Sequence, residues 1–211
     1  MQVIFGSAGF AKEVDWLLYE MSQNIYQTDY FVGRDFVGST INGASVISDD
    51  SFMELLQNPA HITAYLAVGS PQIRKKIYDR LAQFSQLSFP TLVHPNLQYD
   101  KRLGKVEMGL GSIICSGNIL TTDIKIGKFT HLNLSCTVGH DTTIGDFCTL
   151  SPGCNISGNV HIGNEVFLGT NAIVLERISI PNGTIIGAGS VVTKTLTEPG
   201  TYVGIPAKKI K

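Results

Sequence analysis

Several things are scarce in this 211-residue chain, and each scarcity excludes a class of partner. Sixteen Lys plus Arg stand against seventeen Asp plus Glu, a formal net charge of -1, and no block of basic residues occurs. A nucleic-acid groove or a strongly attractive membrane surface is therefore not expected. No apolar run reaches the length of a membrane span, so no membrane insertion is expected either. Met1 to Phe5 runs straight into Gly6-Ser-Ala-Gly9 without the pattern of a charged leader and small-residue cleavage site, and is expected to be a buried strand of a cytoplasmic protein. The four cysteines contain no CxxC pair, and Cys136, Cys148 and Cys154 are spaced twelve and six apart. Neither a disulfide framework nor a structural metal site follows from that spacing. With 43% hydrophobic and 16% charged residues the chain is globular rather than disordered, and its length fits one or two small domains.

What is abundant is glycine, 22 residues of it, without the strict period of collagen. Its setting changes near Pro95. Before that point, apolar runs alternate with helix-like segments. Gln2 to Phe5 reads as a strand and Phe10 to Met21 as a helix whose face carries Val14, Leu17, Leu18 and Met21. A second strand is expected between Thr28 and Val37, a short helix around Asp50 to Leu56, and a third strand over Thr63 to Val68. A helix follows Pro71, with Ile73, Ile77 and Leu81 on one face, and Leu87 to Val93 is expected as a last strand. The boundary is drawn at residues 1–95 and 96–211, the first part being a small Rossmann-like parallel-sheet domain.

From Met108 to Val192 every sixth residue is aliphatic, fifteen positions in all. Two residues before each lies a small or β-branched residue at nearly every unit, including Cys136, Cys148 and Cys154. Gly follows the aliphatic at 109, 127, 139, 145, 163, 169 and 187, where a tight corner is expected to require it. A period of six fits a short strand plus a corner, three units closing a triangular coil and successive coils stacking. The expected fold is thus α/β plus all-β, with an uninterrupted parallel β-helix of about five coils. The cysteines read as buried core thiols. Asn133, Asn155 and Asn182 begin glycosylation sequons on paper but read as corner residues.

Two places carry residues suited to chemistry. His140 follows Val138-Gly139 at a corner and should project outward, with Asp141 beside it and Gly158 and Thr122 one coil away in either direction. An imidazole can accept a proton from a nucleophile, a carboxylate can orient it, and the N–H of Gly158 can meet a developing oxyanion. A solvated corner histidine is the equally weighted alternative. The turn Gly6-Ser7-Ala8-Gly9, between strand and helix, offers backbone N–H groups to a phosphate, or is simply tight. Gly69-Ser70-Pro71 opens a second such junction, and Gly33-Arg34-Asp35 is a third local candidate.

The combination of GSAGFAKEV at the start, Val138-Gly-His-Asp141 and Ile156-Ser-Gly-Asn159 in the repeat, and Tyr202-Val-Gly-Ile-Pro-Ala-Lys208 at the end resembles the bacterial sugar O-acyltransferase family. That family includes the sialic acid O-acetyltransferases and, closer in layout, the UDP-4-amino-sugar (bacillosamine pathway) N-acetyltransferases. The resemblance implies a left-handed β-helix and an acetyl-CoA-dependent N-acetyltransferase acting on the amine of a nucleotide-activated sugar, a 4-amino-4,6-dideoxy sugar in particular. It also implies a homotrimer with acetyl-CoA in the groove between subunits and shared active sites. His140 then looks like the general base, Asp141 its polarising carboxylate, Asn133 a polar contact and Gly158 the donor to the thioester carbonyl. Ala188 stands where Gly more often lines the coenzyme channel, and Gly6, Ser7, Ala8, Gly9, Asp35 and Gly69 are expected around the nucleotide. Thr149 replaces a second histidine, and Arg34-Asp35 replaces an acidic pair. O-acetylation of a sialic acid or another polysaccharide sugar is the enzymatic alternative. A non-catalytic nucleotide-sugar-binding or assembly protein is the alternative of another class.

Overall fold

The structure is a computed structural model that describes residues 1–22, 25, 27–57 and 60–211. It divides into two compact units, one of Met1–Gly69 with Ile73–Pro90 and the other of Ser70–Gln72 with Thr91–Lys211. Among the described residues no helix is long and apolar enough to cross a membrane.

The first unit is a six-stranded sheet flanked by helices. Its elements are β1 (Gln2–Phe5), α1 (Gly9–Met21), β2 (Tyr30–Val32), β3 (Thr40–Ile41), β4 (Ala44–Ile47), α2 (Asp49–Leu55), β5 (Ile62–Leu66), α3 (Pro71–Leu81) and β6 (Leu87–Ser88). The order is β3-β4-β2-β1-β5-β6, parallel except for the β3–β4 hairpin. Chain order reverses direction at β1, which puts a crevice outside the C-terminal ends of β1 and its neighbours. The hairpin turns on Asn42 and Gly43, both left-handed, and that Asn-Gly pair was the sequence signal for a strand pair that the periodicity did not reveal. In α1, Ala11, Val14, Leu17 and Leu18 are buried while Met21 is exposed.

Two expectations need correction here. The stripe of α3 is not Ile73, Ile77 and Leu81, because Ile73 is 54% exposed and Arg74 is fully buried beside Leu81. The Arg74 guanidinium donates to the Val68 carbonyl at 2.5 Å, so a cation takes a place that hydrophobicity alone would deny it. Nor is Leu87 to Val93 one strand. Leu87–Ser88 pairs with Ile62 and Thr63 in the first sheet, whereas Leu92–Val93 pairs with Ile113 and Ile114 in the second unit. Pro90, between them, supplies no N–H to continue either ladder.

The second unit is a left-handed β-helix whose three faces are sheets, parallel throughout except where Lys208–Lys209 pairs antiparallel with Tyr202 and Val203 at the C-terminal end. From Met108 to Val192 each strand pairs with the one eighteen residues on, as Thr137 with Asn155 and Thr143 with His161, and only the last parallel rung, Ile185 with Thr201, is shorter. Every sixth residue from Ile114 to Val192 is buried, and so are the small residues two before each, with Met108 and Val106 packed partly buried against the same core. The small inward residues also hydrogen-bond. Ser112, Thr130 and Thr142 hydroxyls donate to the carbonyls of Gly127, Gly145 and Ser157, and the Cys136, Cys148 and Cys154 thiols donate to Ser151, Gly163 and Gly169. The thiols thus fill space and satisfy an interior donor without leaving an unpaired polar group.

The corner glycines have a different physical reason from the one the sequence suggested. Gly109, Gly127, Gly139, Gly145, Gly163 and Gly169 are not in the left-handed region; a β-carbon on each would collide with the next coil, at 2.6 Å from the Gly158 nitrogen in the case of Gly139. The left-handed residues lie two further on, at every sixth position from Gly111 to Gly189, and most are not glycine. Asp123, Phe129, Ser135, Asp141, Phe147, Asn159, Glu165, Asn171 and Arg177 all have φ between 53° and 61°. Each costs on the order of 1 kcal/mol relative to glycine. Gly163→Ala, whose β-carbon would lie 2.7 Å from the Asn182 nitrogen, is expected to lower stability by about 3 kcal/mol. Gly183→Ala, left-handed but with open space around it, should lose only about 1 kcal/mol. Thermal unfolding of both variants checks this, and the reverse order would make backbone angle rather than coil spacing the controlling constraint.

Candidate active site

The site is built on one edge of the prism. His140 is the second corner residue after the buried Val138, and Asp141 is the left-handed residue that turns the chain into the next strand. Their backbones are fixed from both sides: Asp141 N–H donates to the Thr122 carbonyl at 3.2 Å, and the His140 carbonyl accepts from Asn159 at 2.7 Å. The side chains remain open to solvent, 56% and 62% exposed. The left-handed backbone aims the Asp141 carboxylate back at its neighbour, and Oδ2 lies 2.7 Å from His140 Nδ1. A carboxylate only accepts, so this contact places the proton of a neutral ring on Nδ1 and leaves the lone pair on Nε2. Nε2 faces Gly158, where a β-carbon would lie 2.6 Å from it.

Gly158 differs from the equivalent residues of a neighbouring edge. There, Lys128, Asp146 and Asn164 N–H groups each donate to a side-chain oxygen one coil on, from Asp146, Asn164 and Asn182, at 2.7 to 2.9 Å. The Gly158 N–H has no partner among the described residues, and its lack of a side chain leaves the approach open. A shallow depression of about 290 Å³ adjoins it, lined by Thr121, Thr137, Gly139, Asn155 and Ser157. A base with a free lone pair, an orienting carboxylate and an uncommitted N–H are thus gathered on one exposed edge. They suit addition of a nucleophile to a carbonyl.

The other expected residues of the prism lie elsewhere. Asn133 follows Leu132 at the preceding edge, where its Oδ1 accepts the Leu134 N–H at 2.7 Å and its carbonyl accepts from Asn118 at 2.9 Å. Ala188 is exposed on that same edge, two coils or more above. Thr149 is buried on the face that leads into that edge, in register with His131 and Phe167. Among the described residues no cluster of three His, Cys, Asp or Glu is placed to hold a metal.

In the first unit the three glycine junctions come together at the C-terminal ends of β1, β2 and β5. Gly6, at φ 130°, passes so close to β5 that a β-carbon would lie 2.6 Å from the Ala67 carbonyl oxygen, and its N–H donates to Val32 at 2.8 Å. The Ser7 hydroxyl donates to the Asp35 carbonyl at 3.0 Å, and Ser7 packs against Gly33, which has no room for a side chain. Ala8 is the N-cap of α1 and gives no side-chain cap, so no capping oxygen of its own covers the helix start at Gly9. Gly69 has open space where a β-carbon would stand. Phe36, left-handed and 64% exposed next to Asp35, escaped the sequence reading, as did the side-chain network beneath His140 described below.

A six-residue repeat wound into a left-handed prism, with a histidine–carboxylate pair on its edge, defines a hexapeptide-repeat acyltransferase. Comparison with known proteins narrows the class. The PglD N-terminal domain family matches residues 3–81. GDP-perosamine N-acetyltransferase of Escherichia coli O157:H7 is 29% identical over 142 residues, a match spanning 65% of this chain and 61% of that protein. PerB from Caulobacter crescentus, solved with CoA and GDP-perosamine, superposes with a TM-score of 0.88 at 28% identity over 98% of this chain and 95% of its own. WeeI from Acinetobacter baumannii gives a TM-score of 0.87 at 32% identity, covering 99% and 98%. The chain belongs to the hexapeptide-repeat sugar N-acetyltransferases of the PglD and PerB type.

Gly158→Ala is expected to keep the fold, since that backbone is not left-handed, but to displace the imidazole. A crystal structure or the histidine ring signals in NMR would check it, and an unmoved ring would mean that Gly158 does not set the position of Nε2.

Proposed function

We propose that this chain transfers the acetyl group of acetyl-CoA to the amine of a GDP-linked 4-amino-4,6-dideoxy sugar of the perosamine class, in the cytoplasm. The observation that carries the reading is the His140–Asp141 pair with Nε2 turned toward Gly158, whose N–H is uncommitted among the described residues. The CoA and GDP-perosamine held by the similar PerB structure support the choice of substrates.

In this reading the sugar amine adds to the thioester carbonyl. The carbon–nitrogen bond forms, the amine proton passes to His140 Nε2, and the charge growing on oxygen is met by the Gly158 N–H. Asp141, on Nδ1, keeps the ring in the accepting tautomer and stabilises the cation once formed. The carbon–sulfur bond then breaks and the proton returns to the departing thiolate. No covalent enzyme intermediate is needed, because the cysteines of the repeat are buried in the core.

The first unit supplies the nucleotide site: Gly6, Ser7, Ala8 and Gly9 for the phosphates at the start of α1, and Asp35 and Gly69 around them. Asn133 and Ala188 stand on a different edge from His140. A site that uses all three needs an edge from a second copy, which supports a homotrimer with active sites between subunits.

His140→Ala should lower kcat by about 10²-fold or more while leaving acetyl-CoA affinity nearly intact, and Asp141→Asn should do less damage. Steady-state turnover checks both, and a His140→Ala enzyme of unchanged kcat would sink the assignment. A GDP-linked 4-amino sugar should be acetylated in preference to its 4-hydroxyl counterpart. Equal or better turnover of the alcohol would favour O-acetylation, and no thioester consumption with any sugar would favour a binding protein.

A further inference from the structure

The stack of coils is not uniform below His140. Strands between Met108 and Val192 pair at an offset of eighteen residues, but Val93 pairs with Ile114 and Tyr99 with Leu120, an offset of 21. At Met108 and Ile126 the offset is already eighteen. Three extra residues are therefore inserted between Tyr99 and Met108. They form a bulge, Asp100 to Lys105, on the same edge that carries Thr122, His140 and Gly158.

Above this level, each left-handed residue donates its N–H to the carbonyl nineteen residues earlier, from Phe129 to Leu110 up to Gly189 to Thr170, at 2.7 to 3.2 Å. The two longest of these rungs are both on the His140 edge, Asp141 to Thr122 at 3.2 Å and Arg177 to Gly158 at 3.1 Å. Asp123, the lowest left-handed residue of that edge that is not glycine, makes no such rung among the described residues. Side chains take over there. The Thr122 hydroxyl donates to Asp100 Oδ2 at 2.8 Å, with Asp123 Oδ2 at 3.1 Å as a second acceptor. Arg102 clamps the same Asp100 carboxylate through Nε at 2.9 and 3.1 Å, Nη2 at 2.6 Å and its own backbone N–H at 3.1 Å. Lys105 pairs with Asp123 at 2.6 Å. The Arg102 hydrogen bonds hold the Asp100 carboxyl well below the usual carboxylate range, and the Lys105 ammonium does the same for Asp123 to a lesser degree.

We infer that Asp100, held by Arg102 and acting through Thr122, is a positioning residue of the transfer reaction: it fixes the carbonyl that anchors the Asp141 backbone, and so the direction in which Asp141 holds the His140 ring. The inference rests on the reading of His140 as the base. Its chain is short and continuous, running from Asp100 carboxylate to Thr122 hydroxyl, from Thr122 carbonyl to Asp141 N–H, and from Asp141 carboxylate to His140 Nδ1. Within one chain the dyad is largely exposed, so no packed wall of the same subunit replaces this brace. Asp100 and Arg102 touch neither His140 nor Gly158, and their effect must therefore appear in the chemical step rather than in coenzyme binding.

The test is steady-state kinetics on the full-length enzyme with acetyl-CoA and a GDP-linked 4-amino sugar. Asp100→Ala should lower kcat roughly 5- to 20-fold, the scale of a small misplacement of a catalytic group, with KM for acetyl-CoA unchanged. Thr122→Val, which keeps the carbonyl and the shape but removes the hydroxyl, should show the same loss. The double variant should be no worse than either single one, because both break one path. Asp100→Asn, which can still accept from Thr122, should recover most of the rate. Should Asp100→Ala fold poorly, Thr122→Val carries the test alone. Unchanged kcat in Thr122→Val, losses that multiply in the double variant, or a raised KM for acetyl-CoA at constant kcat would each overturn the inference. His140→Ala, assayed alongside, separates the two readings: full activity there removes the base, whereas its loss with an indifferent Asp100 removes only the brace.

Discussion

The left-handed corner residue and the hydrogen bond from its N–H to the coil below are what the rest of the prism depends on. A six-residue unit is too short for a helix turn or a hairpin loop, so the chain must bend by about a third of a circle within the few residues between one strand and the next. One residue at positive φ achieves that bend, at a cost on the order of 1 kcal/mol where it is not glycine. Phe129, Asp141, Phe147, Asn159, Glu165, Asn171 and Arg177 all accept that conformation, and each returns an N–H to a carbonyl nineteen residues earlier. Where the residue is least suited, other contacts help: the rings of Phe129 and Phe147 stack one above the other, with centroids 5.3 Å apart and planes within 9°. Because each rung links successive coils, neighbouring coils hold one another in register.

That constraint explains how the exposed pair proposed for catalysis can be ordered. His140 and Asp141 have little packing around their side chains, yet the two backbones are bonded to Thr122 below and Asn159 above. The conformation that makes the corner also aims the Asp141 carboxylate at the ring of the residue before it. Aspartate is among the residues that tolerate the left-handed region best, so one side chain serves both the corner and the chemistry. The glycine facing the ring belongs to the same pattern: Gly139 lets coils approach closely, Gly158 leaves room for the ring, and its N–H lacks the acceptor that the equivalent residues of the neighbouring edge find one coil on in Asp146, Asn164 or Asn182, because Glu176 in that place pairs with Arg177.

Most of this was legible in the sequence because the repeat is written in buried side chains. Period six in aliphatic residues fixes strand, face and coil, and it places His140 on an edge opposite Gly158 without any structure. What it could not reveal is the reason for the glycines. A glycine at a corner suggests positive φ, but here the corner glycines answer to the neighbouring coil, and their clashes arise from residues some nineteen positions away. The true left-handed positions were marked by Gly, Asn or Asp at 111, 117, 123, 141, 153, 159, 171, 183 and 189, diluted by Phe, Glu, Ser and Arg. In the first unit, the periodicity of α3 misled because Arg74 is buried by a hydrogen bond to Val68, which no hydrophobic pattern encodes. The single strand expected over Leu87 to Val93 failed for a related reason: two sheets claim its halves, and only Pro90 marks the change.

The bulge between Tyr99 and Met108 shows how a repeat can be locally specialised without losing its period. Inserting three residues shifts the offset from eighteen to 21 on two faces and restores it on the third, so the aliphatic positions above are undisturbed. The insertion removes a main-chain rung and replaces it with carboxylate, hydroxyl and guanidinium groups. Main-chain rungs are indifferent to residue type, whereas the substitute depends on Asp100, Arg102 and Thr122 individually. That dependence sits on one edge, the one that bears the dyad. On the other two edges the lowest left-handed residues are Gly111 and Gly117, which reach the conformation without strain and need no brace. Asp123 has a side chain in the same position, lacks the rung, and is held by Lys105 instead. The edge proposed for the chemistry is thus the one whose foundation is made of side chains, and its geometry is set by residues that a repeat alone would not require.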